Sequence, residues 1–232
     1  MNDLTNFFKA PSNSRSREAV FMHRLIYDMQ IAAAHREYFL EVYTGETDQD
    51  GFDIIFDDRD VLRKFQVKTV ISDSTTSCWG VHKTILRPLP EHAEKLEFEP
   101  SPEGSGTEGG VILMEVNCDN PDLKVDYYYT DVFILRAFDL NVIKVPKSFK
   151  SFYHKLQRGK SHDKIKVRKN ILLNAKSPAH LLALAGLHST VCTNLHHLIM
   201  NCNDPKKLGI DSLNCKEIIS KLIKEELEKL CK

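Results

Sequence analysis

Hydrophobic and polar residues alternate in two short stretches separated by an acidic turn, and this pattern predicts a β-hairpin. Phe52, Ile54 and Phe56 share one face of residues 51–56, and Phe65 and Val67 share one face of residues 64–70 with Thr69. This alternation is typical of strands with one face in a core. The Asp-rich residues between the stretches favour a turn. A four-residue loop over 58–61 would pair Asp57 with Leu62.

That register sets Asp53 directly opposite Gln66 and places Lys68 two residues further along the same face. Opposite neighbours in such a pair are roughly 5 Å apart and diagonal neighbours roughly 7–8 Å. A slip of one residue would send these polar groups to the apolar face, so the pattern favours this register. We therefore expect a carboxylate, an amide and an ammonium to lie close together.

These three groups are the ones that metal-dependent phosphodiester cleavage requires. Mg²⁺ prefers oxygen ligands and keeps several waters, and Asp53, the Gln66 amide oxygen and the Val67 main-chain carbonyl would supply such ligands. Lys68 would orient the attacking water or stabilise charge on the phosphate. The alternative is that these polar residues form the solvent face of an amphipathic hairpin.

A glutamine ligand carries no charge, so this site lacks one carboxylate. The residue that we expect to supply it is Glu18 on the helix predicted upstream, with Glu41 and Glu46 as further candidates.

The succession of helix, strand, Gly-Phe-Asp strand at 51–53 and Gln-Val-Lys strand at 66–68 resembles the PD-(D/E)xK, or restriction-endonuclease-like, nucleases. It is most similar to the branch in which Gln replaces the middle acid, which includes nuclease domains of bacterial restriction and anti-phage defence systems. The resemblance covers residues 16–70, with weaker support to about residue 131. No Pro precedes Asp53, and nothing after residue 140 resembles a known family.

The resemblance implies an α/β fold with a restriction-endonuclease-like central mixed sheet flanked by helices. It also implies a catalytic core of Asp53, Gln66 and Lys68, with Glu18 as the helix acid. Its cofactor would be Mg²⁺, with Mn²⁺ as a possible substitute.

The remaining pattern divides the chain into a nuclease-like core over 15–140 and a basic, mainly helical extension over 141–232. Other elements that it predicts are helices over 16–37 and 211–230, strands over 39–43, 111–117 and 124–129, and a strand or helix over 132–138. Residues 72–100 are ambiguous, because Trp79, His82, Lys83 and Arg87 recur at helical spacings.

Formal net charge is zero, but the charges are unevenly distributed. Residues 144–170, the basic segment, hold ten Lys and Arg against one Asp, a net of +9 that the rest of the chain balances at −9. Such a segment neutralises phosphates in a salt-dependent manner. An ordinary solvated surface or an acidic partner protein is the alternative. The predicted nucleic-acid contacts are Lys83, Arg87, Lys155, Arg158, Lys160, Lys164, Lys166, Arg168 and Lys169.

Composition excludes some classes of protein. No apolar run approaches the length of a membrane span, and no secretory signal begins the chain, so we expect a cytoplasmic protein that does not enter membranes. The six cysteines include no C-x-x-C pair and do not resemble a disulfide framework. A further cluster within one predicted helix reads as a zinc site or as a His-rich helix face: Cys192, His196, His197 and Cys202.

The sequence therefore predicts a Mg²⁺-dependent deoxyribonuclease, probed most directly at Lys68, with DNA as partner and RNA not excluded. A homodimer or a sensor or regulatory partner protein stays open. The rival hypothesis is a catalytically inactive nuclease-fold module that binds DNA or another protein.

Overall fold

The computed structural model describes residues 3–45, 51–99, 104–119, 123–187, 189–211 and 214–230. The α-helices are α1 (Asp3–Lys9), α2 (Ser14–Ala34), α3 (Lys83–Leu86), α4 (Pro90–Ala93), α5 (Val132–Asp139), α6 (Phe149–Gln157), α7 (Pro178–Leu184), α8 (Ser189–Met200) and α9 (Cys215–Leu230). The strands are β1 (Glu41–Thr44), β2 (Ile54–Asp57), β3 (Leu62–Ile71), β4 (Cys78–His82), β5 (Gly110–Asn117), β6 (Lys124–Asp131), β7 (Lys164–Arg168) and β8 (Leu173–Ala175).

A mixed sheet of six strands lies at the centre of this α/β fold, in the order β1-β2-β3-β5-β6-β8. β3 and β5 run parallel, whereas the other neighbouring pairs are antiparallel. Parallel neighbours need a crossover connection, which here contains β4, α3 and α4. β4 itself pairs with β7 in a separate two-stranded ribbon.

Helix α2 packs on the face of the sheet that carries Val67 and Tyr127. The Tyr127 hydroxyl donates to Asp28 Oδ2 of α2 over 2.7 Å, and the strand register puts Tyr127 on the same face as Val67. Gln66 and Lys68 therefore point to the opposite face.

The predicted helix over 16–37 is confirmed within a few residues as α2. Its first turn begins two residues earlier, and it ends before Glu37, whose φ of 62° is left-handed. The residues that it buries are Phe21, Leu25, Met29, Ala32 and Ala33.

Within the ambiguous residues 72–100, the described part forms strand β4 followed by the helices α3 and α4. Trp79 and His82 lie on β4, where Val81 is fully buried between them. The helical spacing of Trp79 and His82 therefore did not indicate their secondary structure. The conformation of β4 depends on main-chain pairing with the distant β7.

Residues on both sides of position 140 build the same sheets. β8 completes the central sheet beside β6, and β7 completes the ribbon with β4. The basic extension therefore contributes strands as well as helices, and it is packed into the structure that the earlier residues begin.

Candidate active site

The predicted hairpin register is confirmed. Asp57 pairs with Leu62 and Ile54 with Phe65, and the Asp58 main-chain N–H donates to the Val61 carbonyl over 3.2 Å across the loop. The loop is fixed as well by the Asp58 carboxylate, which accepts from the Val61 N–H over 2.7 Å. The paired residues 54–57 are thus aligned as the sequence pattern indicates, whereas Asp53 lies just before them.

Asp53 lies immediately before β2. Its carboxylate, in place of main-chain strand pairing, connects this end of the hairpin to β3. Oδ2 accepts a hydrogen bond from the Val67 main-chain N–H over 2.6 Å, while the Asp53 N–H donates to the Phe65 carbonyl over 2.8 Å. The N–H and C=O of one strand residue point to the same side. The Val67 carbonyl therefore faces the same gap as the Asp53 carboxylate.

Gln66 is buried, with 2% of its surface exposed. Its Oε1 accepts a hydrogen bond from the His82 main-chain N–H over 3.0 Å, so the amide ties the end of β4 to β3. An amide oxygen has two lone pairs, and this contact uses one of them.

Lys68 lies on the same face as Gln66 and beside the fully buried Leu113 of β5. Its side chain is partly exposed. Among the described residues, the Lys68 ammonium has no hydrogen-bond or ion-pair partner. This ammonium is thus available to an anion at the surface of the sheet.

Sequence reasoning missed His82, whose main-chain N–H binds the Gln66 side chain. A Cβ on Gly51, whose φ is 73°, would come within 2.5 Å of the His82 ring, so the glycine is needed both for its conformation and for this contact. The ring Nδ1 lies 3.1 Å from the His162 carbonyl and must donate to it, since a carbonyl only accepts. The sequence signal that could have indicated a strand here was the alternation of apolar and other residues around Val81.

The candidates for a second carboxylate do not join Asp53. Glu18 is exposed on α2, which packs on the other face of the sheet. Glu41 is paired opposite Asp57, and its carboxylate accepts from the Tyr43 hydroxyl over 2.6 Å. Glu46 lies outside the described residues.

The groups that could hold a metal are therefore one carboxylate, from Asp53, and two neutral oxygens, from the Val67 carbonyl and the Gln66 amide. Within the described ranges, no group of three or more His, Cys, Asp or Glu side chains is placed to bind a metal ion. The oxygens of Asp53, Val67 and Gln66 suit Mg²⁺ in the form that keeps several water ligands. Glu18 is not part of this donor set.

Three of the nine cations predicted to contact nucleic acid are engaged within the protein. Arg87 is fully buried, and its guanidinium donates to the carbonyls of Leu156, Arg158 and Gly159 over 2.8–3.0 Å. Lys83 is 8% exposed and donates to the Arg158 carbonyl.

Lys169, the third, donates to Glu115 over 2.6 Å and lies over the Tyr128 ring. The other six cations are exposed. Five of these line one cleft of about 780 Å³ between α6 and β7, which we call the basic cleft; they are Lys155, Arg158, Lys164, Lys166 and Arg168. Lys160 lies in the adjoining loop.

The cluster considered for zinc is not assembled as a metal site in the described part of the chain. The His196 ring stacks on Phe133 with 3.8 Å between centroids, and burial holds its pKa well below the usual value. His197 Nδ1 lies 3.3 Å from the Asn201 amide, and Cys202 is buried. The side chain of Cys192 is outside the described residues.

In the described residues, no helix combines the length and the apolar character that crossing a bilayer would need.

Protein-family models, curated proteins and solved structures were all compared with the chain, and none of them matches it.

Proposed function

We propose that this protein is a metal-dependent nuclease that hydrolyses phosphodiester bonds of DNA, as an endonuclease of a restriction or defence system. The observation that carries the proposal is the arrangement of Asp53, Gln66 and Lys68. Gln66 and Lys68 lie on one face of β3, and the Asp53 carboxylate is anchored to the main chain of that strand.

The order of the elements supports the finer, restriction-endonuclease-like assignment. Helix α2 is followed by the antiparallel strands β1, β2 and β3, and then by β5 parallel to β3. This is the succession of helix and strands on which the resemblance rests, extended by a crossover. The exposed cations of the basic cleft support nucleic acid as the substrate.

In this proposal the protein's residues bind and orient the reacting groups. Asp53, the Val67 carbonyl and the second lone pair of the Gln66 oxygen would hold Mg²⁺, which supplies Lewis acidity and an activated water when it is bound. Lys68 stabilises the charge that develops on the phosphate. His82 holds the Gln66 amide in place through its main-chain N–H.

A second candidate function is a nucleic-acid-binding module without catalysis. It is favoured by the shortage of carboxylates, since Asp53 is joined by neither Glu18 nor Glu41. It is also favoured by the Gln66 oxygen, which already accepts a hydrogen bond. In this alternative the hairpin is a scaffold for the basic cleft.

The test is a cleavage assay on plasmid, linear duplex and single-stranded DNA, with Mg²⁺, Mn²⁺ or EDTA. Lys68→Ala is the test variant, and Lys64→Ala is its control, because Lys64 lies on the same strand and face but stacks on the Phe52 ring at 4.8 Å. We expect cutting that needs metal, is lost in Lys68→Ala and survives in Lys64→Ala. Binding to DNA without cutting under any condition favours the second candidate.

A further inference from the structure

We infer that the basic cleft binds the sugar-phosphate backbone of one nucleic-acid strand and makes no use of the bases. This inference deepens the proposed function by naming what the protein recognises in its substrate. The binding itself does not depend on the cleavage chemistry.

One wall of the cleft is a row of cations on β7. Lys164, Lys166 and Arg168 are exposed, whereas the residues between them, Ile165 and Val167, are buried at 7% and 1% exposure. A strand rises about 3.3 Å per residue, so neighbouring cations of this row stand roughly 6.6 Å apart. That interval is close to the separation of successive phosphates along one strand of nucleic acid.

The opposite wall is helix α6, which buries its aromatic residues. Phe149, Phe152 and Tyr153 are all less than 8% exposed, and the Phe149 and Tyr153 rings stack on each other with 5.4 Å between centroids. Lys155 and Arg158 face the cleft instead. The amphipathic pattern of α6 thus gives the cleft cations and keeps the rings in the core.

Recognition of bases in single strands relies on exposed aromatic rings on which the bases stack. Among the described residues that line the cleft, Phe152 is the one Phe, Tyr or Trp, and it is buried. The rest of the lining is serine, glycine, histidine and basic side chains together with Cys78 and buried isoleucines. A lining of this kind contacts phosphates through charge and hydrogen bonds.

The row of cations also has a direction relative to the candidate active site. Lys164 pairs with His82 on β4, and the His82 N–H binds Gln66. At the other end, Arg168 pairs with Cys78. A backbone that follows β7 from Arg168 to Lys164 therefore leads to Gln66 and its neighbours.

The loop that joins α6 to β7 is held in place from below. Lys83 and Arg87 donate to its carbonyls at Arg158 and Gly159, and the Thr84 N–H donates to the Ser161 carbonyl over 2.8 Å. These contacts fix the two walls relative to each other, so the cleft is formed before a ligand binds.

The experiment measures fluorescence anisotropy of labelled strands of about 20 nucleotides, in EDTA so that no cleavage occurs. The probes are oligo-dT, an abasic strand of the same length, and duplex DNA and duplex RNA, which distinguish the sources of the backbone. The variants are Lys166→Ala and Arg168→Ala. Lys150→Ala is the control, because Lys150 is exposed on α6 but does not line the cleft.

We expect the abasic strand and oligo-dT to bind the protein with affinities within about threefold of each other. Each cleft variant should weaken both by about five- to tenfold at low salt, and the slope of log K against log salt should fall by about 0.7 for each cation removed. Lys150→Ala should bind as the wild type does.

Three results would overturn the inference. A much weaker affinity for the abasic strand than for oligo-dT would show that bases are contacted. The other two are a loss of affinity in Lys150→Ala equal to that in the cleft variants, and no binding of any probe. Lys68→Ala separates this inference from the nuclease proposal. If it binds normally while neither it nor the wild type cuts, the nuclease proposal fails and the cleft assignment stands.

Discussion

The Asp53 carboxylate accepts a hydrogen bond from the Val67 main-chain N–H over 2.6 Å. This contact joins the acid of the hairpin to the strand that carries Gln66 and Lys68, at the point where β2 stops. It holds the carboxylate in one position before any ligand arrives, which is the preorganisation that electrostatic catalysis needs.

Asp53→Asn should abolish cleavage with little loss of stability. The asparagine oxygen retains an acceptor for the Val67 N–H, but the anionic ligand is gone. We expect the midpoint of urea unfolding to stay close to that of the wild type, while metal-dependent cutting falls to the background rate.

Asp53→Ala is the matched comparison, because it also leaves the Val67 N–H without its acceptor. Its free energy of unfolding should fall by about 1–3 kcal/mol. Cleavage by Asp53→Asn at the wild-type rate would exclude Asp53 as the anionic group of the site.

Gln66→Ala should destabilise the protein. The substitution removes a buried amide and leaves the His82 N–H without the acceptor that it has at 3.0 Å, which costs about 1–3 kcal/mol. Gln66→Glu keeps an acceptor and should hold β4 in place, while it adds the carboxylate that the site lacks. We expect Gln66→Glu to bind Mg²⁺ more tightly than the wild type, as measured by calorimetry.

An unchanged unfolding free energy in Gln66→Ala would show that the contact to His82 contributes nothing. Metal binding that is equal in Gln66→Glu and the wild type would argue that no ion occupies the position beside Gln66.

The hairpin could be predicted from the sequence because its information is local. The alternation at 51–56 and 64–70 and the acidic loop at 58–61 determine its register, and the structure confirms it. The N-cap of α5 is similarly local, because the Asp131 carboxylate accepts from the Ile134 N–H three residues later over 2.9 Å.

The remaining geometry depends on contacts between distant residues, which periodicity does not contain. β4 is a strand because it pairs with β7, more than 80 residues further along the chain. Arg87 was predicted to contact nucleic acid at the surface, but it is buried under a loop formed by residues 156–159. The position of Glu18 followed from the face on which α2 packs, which no local pattern determines.

Arg87→Ala should destabilise the protein more than any exposed substitution in the basic segment. Arg87 donates three hydrogen bonds to main-chain carbonyls of Leu156, Arg158 and Gly159. The substitution removes all three, although the Arg158 carbonyl keeps Lys83 as a donor. We expect a loss of about 3 kcal/mol or more in urea unfolding, since hydrogen bonds to charged groups contribute about 1.5–3 kcal/mol each and do not add fully.

Lys160→Ala is the control, since Lys160 is exposed in the same loop. It should change the free energy of unfolding by less than about 0.5 kcal/mol. An Arg87→Ala variant as stable as Lys160→Ala would show that the loop does not depend on the guanidinium.

His180 should make the protein less stable in mild acid. Its Nδ1 accepts a hydrogen bond from the Lys176 main-chain N–H over 3.0 Å, so this nitrogen must be unprotonated. Burial, and then the charge of Lys176, lower the pKa of His180 to about 4, whereas an unfolded histidine titrates near 6.5.

The sign of the effect follows from which state takes up the proton. Above pH 6.5 the imidazole is neutral in both states, and the contribution of His180 to stability is complete. As the pH falls from 6.5 to 4, the unfolded chain gains a proton that the folded protein does not, so the free energy of unfolding falls. At about 1.4 kcal/mol per pKa unit, the whole loss is roughly 3 kcal/mol.

His180→Asn separates this effect from the titration of carboxylates. The Asn oxygen replaces Nδ1 as acceptor for the Lys176 N–H, but it does not titrate. Urea unfolding at pH 7 and pH 4.5 should show a loss in the wild type that exceeds the loss in His180→Asn by about 2–3 kcal/mol. If the two proteins lose the same amount, protonation of the unfolded His180 is not what weakens the fold, and the buried His196, whose pKa also lies well below the usual value, is the next group to examine.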